Sequence, residues 1–357
     1  MRGGKLVGQG SYGCVYHPGF RCAVERSERS DTTKEATFQK SDKGVLLGRS
    51  LNRRLQRRVS KILPNDFFSN HEYQIGKQIQ DIPEYKQYFS PVLSKCPVNK
   101  SIIEKYGEDV DKCKVIREDN LVMMNSQYIR GKTPYYWIES IPYQTRINSF
   151  KHFCRYIMTA IGKLERNNIV HHDIKQSNVI VRPSGNPVLV DFGLSLDMTQ
   201  MNQLKSNPSG YENIVFYAPD YQYWTLDFQV LGLLNENKKL EDHGDEIVDG
   251  FIEKGLRPWI DDEFIEEYKV LMREKLREYE RMDTGEMIEN AIKTWHHWDV
   301  HCTAITIITL LGVFQSNGWL PEHKDVDAMM KWALWGIHPI AQLDMKEWRK
   351  VWRDTVE

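Results

Sequence analysis

Residues 169–181, IVHHDIKQSNVIV, set seven polar or charged side chains between two short β-branched runs. No other stretch constrains the chain as tightly. A core strand does not bury His171, His172, Asp173 and Lys175 without partners, because an unpaired charge taken out of water is too costly. A solvated loop, for its part, has no need of apolar anchors on both sides. The stretch therefore reads in one of two ways. It is a structured polar turn with no further role, or a loop that presents a base, a counter-charge and a metal ligand to one small volume.

The 357 residues are 41% hydrophobic and 27% charged, with a formal net charge of −1. That length suits one large two-lobed domain or two conventional ones. Near-zero charge gives no global reason to expect specific nucleic-acid binding. The six cysteines (14, 22, 96, 113, 154 and 302) contain no C-x-x-C pair, so neither a zinc site nor a disulfide framework is expected. Reduced thiols in a cytoplasmic setting are the simplest expectation. No charged-then-apolar leader opens the chain. The longest apolar-rich run, near 302–314, is broken by Thr303, Thr306 and Thr309 and is expected to be too short to span a bilayer.

The opening KLVGQGSYGCVYHP alternates apolar and small residues around Gly8, Gly10 and Gly13, which predicts strand, glycine turn, strand. Residues 21–58 are polar and charge-dense and read as an insertion or a long exposed connection. RRVSKIL is a short strand that Pro64 stops. FFSNHEYQIGKQIQDI carries apolar positions at helical spacing and ends before Pro83. NLVMMNSQYIRG is a strand leading into a glycine-containing linker, where a small strand-rich part gives way to a larger one. SFKHFCRYIMTAIGKLERNN has a strong helical period, with Ser149 as its expected N-cap. PVLVDFGLS is a short strand and turn, and beyond residue 230 the pattern is mostly helical.

The glycines form G-x-G-x-x-G, which alone fits either an ordinary turn or a nucleotide site. A dinucleotide fingerprint would open a helix, whereas CVYHP continues as a strand. Such a glycine turn between strands lets backbone N–H groups approach phosphates without hindrance from Cβ atoms. His171-x-Asp173-x-Lys175-x-x-Asn178 matches the catalytic loop of protein kinases, and Asp191-Phe192-Gly193 follows after a short strand. In this order and spacing the chain resembles the eukaryotic-type serine/threonine protein kinases. GQGSYGCVYHPGFRC, the basic stretch before VSKIL and the NHEYQIG helix resemble in particular the kinases of large nucleocytoplasmic DNA viruses, which would place the chain in host cytoplasm or in a virion.

The resemblance implies an α+β, two-lobed protein kinase fold: a small antiparallel-sheet N-lobe with one main helix over 1–130, carrying the insertion at about 21–58, and a larger helical C-lobe over 131–357, carrying another at about 230–295. It implies ATP and Mg²⁺ (Mn²⁺ as an alternative) as cofactors and protein hydroxyls of Ser or Thr as acceptors, since Lys175 two places after the aspartate is the serine/threonine form. Phosphoryl transfer needs positioning and charge neutralisation more than covalent catalysis. Asp173 would orient the acceptor hydroxyl and take its proton, and Lys175 would contact the γ-phosphate. Asn178 and Asp191 would be the metal ligands, hard oxygens of the kind that suit Mg²⁺. Gly8, Gly10, Ser11 and Gly13 would cover the phosphates, and Val15, Val59 and Ile180 would flank the adenine. His171 and Phe192 are expected to pack and align the site.

The usual V-A-I-K strand is absent. Lys61 in RVSKIL is the expected phosphate-binding lysine, with Val59 in place of the alanine and Lys43 as its rival. Glu72 is its expected carboxylate partner, against the plainer reading of a solvated helix residue. His172 replaces the arginine that clasps a phosphorylated loop, so weak or no dependence on loop phosphorylation is expected. That histidine could carry a proton near neutral pH or simply pack. YAPD, ending at Asp220, and YWTLDF, ending at Asp227, both partly match A-P-E. Of the two aspartates able to serve the large-lobe helix, Asp227 and Asp299, the longer apolar helix behind Asp299 favours it.

Arg49, Arg53, Arg54, Arg57 and Arg58 read as a solvated basic face rather than a docking patch. His296, His297, His301 and Cys302 lack the further ligand a metal site would need. Two rival functions stand beside the kinase reading: a catalytically silent scaffold of the same fold, and a small-molecule or lipid phosphotransferase. Intact Asp173, Asn178 and Asp191 argue against the first, and the glycine loop with D-F-G against the second.

Overall fold

The computed structural model describes residues 4–10, 13–20, 22, 55–98, 112–117, 119–204 and 213–357. Ser11, Lys43 and most of the 21–58 stretch lie outside the described residues. The chain divides into two compact units, one of residues 1–86 and 90–129, the other of residues 87–89 and 130–357.

The first unit is built on a five-stranded antiparallel sheet. Its strands are β1 (Lys5–Gly10), β2 (Gly13–His17), β3 (Arg58–Pro64), β4 (Val92–Pro97) and β5 (Leu121–Gln127), in the order β1-β2-β3-β5-β4. The β1–β2 hairpin closes with Gly10 opposite Gly13. At Gly13 a Cβ would lie 2.7 Å from the carbonyl oxygen of Ile62. Only glycine lets β3 pass that close.

The main helix, α1 (Phe67–Asp81), starts at a capping box: Asp66 accepts from the Ser69 backbone, and Ser69 Oγ accepts from the Asp66 N–H. It ends as expected before Pro83, where Ile82 turns extended. Its buried positions, Ser69, Glu72, Ile75, Gly76 and Ile79, follow a helical stripe.

Two disulfides correct the expectation of reduced thiols. Cys14 joins Cys113 and Cys22 joins Cys96, each with Cα atoms 5.9 Å apart, within the usual range for a bridge. All four sit in one apolar cluster with Tyr16, Phe20, Ile62, Leu121 and Met123. Sequence separations of 99 and 74 residues explain why no local spacing announced them. The sheet, not the motif, brings the partners together. Cys154 and Cys302 are buried free thiols.

The second unit is mostly helical. Helix α2 (Pro134–Glu139) leads through a 3₁₀ turn into α3 (Arg146–Glu165), which starts earlier than the expected cap at Ser149. The turn over Tyr143–Thr145 runs directly into the helix, and Arg146 ties that entry down by donating to the carbonyls of Ile141, Glu139 and Trp319. Short strands β6 (Ile169–Val170), β7 (Val179–Val181), β8 (Pro187–Val190) and β9 (Leu196–Asp197) follow, with β7 antiparallel to β8 and β6 to β9.

Then come α4 (Met198–Leu204), α5 (Leu226–Asn235), α6 (Leu240–Phe251), α7 (Asp262–Glu280), α8 (Thr284–Lys293), α9 (Trp295–Ser316), α10 (Lys324–Gly336) and α11 (Met345–Thr355). The stretch expected as a helical insertion is thus helical almost throughout.

Helix α9 corrects a second expectation. Its 22 residues are, by length and composition, long and apolar enough to cross a membrane. Yet 83% of its most apolar window is buried within the protein. A helix apolar all round and enclosed by its own chain is a core helix.

Candidate active site

In the first unit, register assembles one face of the sheet. Val15 pairs with Lys61 across β2 and β3, and Gly8 pairs with Val15 across β1 and β2. Cross-strand partners share a face, as do residues two apart on one strand, so Val59 joins Lys61 and Val15. Lys61 Nζ lies 2.9 Å from Glu72 Oε2, with 6% of the Glu72 side chain and 22% of the Lys61 side chain exposed. The expected pair is therefore made, and Glu72 is not a solvated helix residue. A carboxylate this enclosed needs a cation beside it, and the geometry supplies Lys61.

In the second unit, the loop after β6 hangs on α9. Asp299 accepts from the backbone N–H groups of both His171 (2.8 Å) and His172 (2.9 Å). One turn on, Cys302 Sγ accepts from the Ile174 N–H at 3.0 Å, and Thr306 Oγ1 donates to the Ile174 carbonyl. This fixes Asp299, not Asp227, as the aspartate serving the loop. Asp227 instead lies in a closed cluster with Lys275, Tyr279 and Gln342. Burial pushes the Asp299 carboxyl above its usual range, and the neighbouring His171 opposes that push.

The loop it supports turns Asp173 to a definite set of partners. Asn178 Nδ2 donates to Asp173 Oδ2 at 2.7 Å and to its carbonyl at 3.0 Å. Lys175 Nζ sits 2.9 Å from Asp173 Oδ1. With its amide nitrogen so engaged, Asn178 keeps its carbonyl oxygen, the one atom of that side chain able to ligate a cation. The β7–β8 register sets Val179 opposite Leu189, which places Asn178 across from Val190, one residue before Asp191. His171 holds both neighbours of Asp191: its Nε2 meets the Val190 carbonyl at 3.2 Å, and its ring packs 4.6 Å from that of Phe192.

Phe192 is 1% exposed and makes an edge contact with Phe89. The two residues expected to pack do so. Asp191 itself adopts φ 62 and is exposed, a left-handed conformation uncommon outside glycine. Ile180 lies on β7 and is half-buried.

His172 settles the alternative left open for it. It is 2% exposed, stacks 5.1 Å from Trp224 and lies 4.0 Å from Phe228. Burial lowers its pKa to about 3, so the ring is neutral across the physiological range and offers no positive charge.

The histidines of HHWDVHC go separate ways. His296 meets Glu165, His297 the Leu343 carbonyl and His301 the Gln222 carbonyl. Among the described residues no three His, Cys, Asp or Glu side chains form a metal-holding group. Of the arginine run, Arg57 is exposed and Arg58 half-buried, and the rest lie outside the described residues.

No motif spacing marked Tyr221. Its hydroxyl donates to Asp173 Oδ1, and Lys175 Nζ lies 3.4 Å from the Tyr221 phenolic oxygen. Burial and the Asp173 charge push the phenol's pKa well up, so it keeps its proton. Tyr221 does lie inside the YAPDYQYW stretch that partly matches A-P-E, the one signal that could have marked it. The thiol of Cys302 was likewise invisible as a support of the loop.

Residues 108–221 match the family described as protein kinase domain. The mitogen-activated protein kinase kinase kinase MST11 of Pyricularia oryzae is 28% identical over 142 residues, covering 34% of this chain and 15% of that protein. Human mitogen-activated protein kinase kinase kinase 19 is 31% identical over 120 residues, covering 29% of this chain and 9% of that protein. The tyrosine-protein kinase receptor torso of Bombyx mori is 31% identical over 121 residues, covering 32% and 14%. The aligned part thus spans less than a fifth of each relative's length. With a five-stranded sheet and its helix in one unit, a helical second unit, and a family match that spans the loop bearing Asp173, the chain has the protein kinase fold.

Proposed function

We propose that the protein is a serine/threonine protein kinase that transfers the γ-phosphoryl group of ATP, with Mg²⁺, to hydroxyls of protein substrates. The observation that carries this reading is the Asp173 carboxylate, held by Asn178 and Lys175 and already accepting a hydroxyl. A base must lie within hydrogen-bond reach of the proton it takes, and this one does.

Lys175 would meet the developing charge on the transferred group. Lys61, oriented by Glu72, would hold the α- and β-phosphates, and the glycines of the β1–β2 hairpin would cover them. The carbonyl oxygen of Asn178 and the carboxylate of Asp191 fit a hard cation that takes its remaining ligands from phosphates and water. When bound, that cation neutralises phosphate charge. The residues that resemble large-DNA-virus kinases support a viral source, and a match to a tyrosine kinase receptor keeps phenolic acceptors within the reading.

The test is transfer from labelled ATP with Mg²⁺ to histone, beside Asp173→Asn and Lys61→Met. Both variants are expected to lose about two or more orders of magnitude in rate, as removal of one preorganised charge typically causes. Equal rates in wild type and Asp173→Asn would remove Asp173 as the base. Absence of thermal stabilisation by ATP with Mg²⁺ would favour the silent scaffold.

A further inference from the structure

We propose that Tyr221 is an intramolecular phosphoryl acceptor: its hydroxyl occupies the place of a substrate hydroxyl at Asp173 and is phosphorylated in cis. The inference rests on the kinase reading and names an acceptor for it. Three observations carry it.

The first is reach. The Tyr221 hydroxyl donates to Oδ1 of the carboxylate assigned as base, and Lys175 Nζ lies 3.4 Å from the phenolic oxygen and 2.9 Å from Oδ1. An acceptor hydroxyl needs these two contacts, one to lose its proton and one to meet the incoming phosphoryl group.

The second is anchorage. Tyr221 sits in a turn closed by Trp224 N–H donating to the Tyr221 carbonyl at 3.1 Å. The Trp224 ring lies 4.9 Å from that of Tyr221, and its Nε1 donates to the His172 carbonyl at 3.0 Å. The segment bearing the phenol is thus tied to the loop bearing the base. Tethering of this kind turns an encounter between molecules into an internal event.

The third is a comparison inside the same unit. A second Tyr–Asp–Lys trio, Tyr279, Asp227 and Lys275, has the same chemistry, with a Tyr279–Asp227 hydrogen bond of 2.5 Å. There Tyr279 is 0% and Asp227 1% exposed, and the Gln342 amide takes the other carboxylate oxygen. That trio is closed and structural. At the Asp173 trio, Tyr221 is only half-buried and 31% of the Lys175 side chain is exposed, which leaves an approach for a nucleoside triphosphate. Burial and the neighbouring carboxylate keep the Tyr221 phenol protonated, the form that requires a base.

In the step itself, a bond forms between Tyr221 Oη and the γ-phosphorus of ATP. The bond from that phosphorus to the β,γ-bridging oxygen breaks, and ADP leaves with the electron pair. The phenolic proton passes to Asp173 Oδ1 and on to water. The product is a phosphate ester beside the Asp173 carboxylate, and repulsion between the two drives Tyr221 out of the acceptor position, leaving Asp173 to an external hydroxyl.

The test is phosphosite mapping of the intact chain, purified dephosphorylated and incubated with ATP and Mg²⁺, with histone phosphorylation followed in parallel. The expected result is phosphate on Tyr221 and none on Tyr279, a first-order rate that does not change as the protein is diluted, and loss of the modification in Asp173→Asn and in Tyr221→Phe. Transfer to histone with Tyr221 unmodified at completion would overturn the inference and leave the kinase reading standing. A Tyr221 rate proportional to protein concentration would overturn the cis step. Absence of transfer to either acceptor would overturn both.

Discussion

At the scale of single residues, the loop bearing Asp173 depends on side chains of helix α9. Asp299 satisfies two buried backbone N–H groups at once. In Asp299→Asn one of the two oxygens becomes an NH₂ group that faces a donor, which leaves an N–H without an acceptor. An orphaned buried donor costs about 1–3 kcal/mol. Denaturant titration of Asp299→Asn is expected to show a loss of that size, together with a fall in kcat from a loosened loop. Unchanged stability and rate would separate Asp299 from the loop.

His172, His297 and His301 are buried and neutral, with pKa values lowered to about 3, 4 and 3. Each binds a proton more readily unfolded than folded. Their stabilising contribution is therefore complete above the ordinary histidine value near 6.5 and is lost as pH falls from there toward the folded values. Buried Asp227 and Asp299, pushed the other way, oppose the trend at the acid end. The clean comparison is between wild type and His301→Gln. The variant is expected to lose less stability between about pH 6.5 and 5, by up to roughly 1.4 kcal/mol per pH unit for the one proton removed. Parallel stability curves would contradict a neutral buried His301.

The legibility of the site divides along the same lines. Asp173, Lys175, Asn178, Asp191, Lys61 and Glu72 were readable because they match, in order and spacing, a motif set whose proposed chemistry, phosphoryl transfer, calls for those residue types. Tyr221 was not, because it reaches Asp173 through a fold-dependent contact 48 residues away in sequence. His172 was readable as a departure from the motif, but its neutrality follows from Trp224 and Phe228 packing around it, which no local spacing encodes.

At the scale of elements, the sheet of the first unit is fastened where the glycine hairpin begins. Cys14 follows Gly13 directly, and its bridge to Cys113 ties β2 to a segment just before β5, while Cys22–Cys96 ties the chain beyond β2 to β4. Cross-links that close long loops restrict the unfolded chain most, by roughly 2–5 kcal/mol each. Reduction with a dithiol should lower the unfolding midpoint, and Cys14→Ser with Cys113→Ser should mimic half of that effect and respond less to reductant. A midpoint indifferent to reductant would mean that the bridges carry no stability.

Helix α1 and the strands around the glycines were predictable from period and from Pro and Gly punctuation, and helix α9 only from its apolar run. The start of α3 was not, because a 3₁₀ turn and Arg146, rather than a capping side chain at Ser149, determine where it begins. The bridges were missed for a related reason. Each bridge joins a strand cysteine, Cys14 or Cys96, to one outside the strands, Cys113 or Cys22, and these meet only once the sheet is assembled.

At the scale of the whole molecule, the strand-built unit holds the Lys61–Glu72 pair, and the helical unit holds Asp173 with Asn178 and Lys175. The helical region over 226–293 packs into the second unit rather than hanging from it: Tyr268, Met272, Leu276 and Tyr279 of α7 are all buried, and Tyr279 reaches Asp227 on α5. The central claim is that Asp173 directs a hydroxyl toward the end of ATP. Its most direct measurement is the rate of label transfer from γ-labelled ATP to histone by wild type and by Asp173→Asn at equal, verified folding. The account predicts transfer by the wild type and a loss of at least about two orders of magnitude in the variant. Equal transfer by both, or none by a wild type that fails to bind ATP, would contradict it.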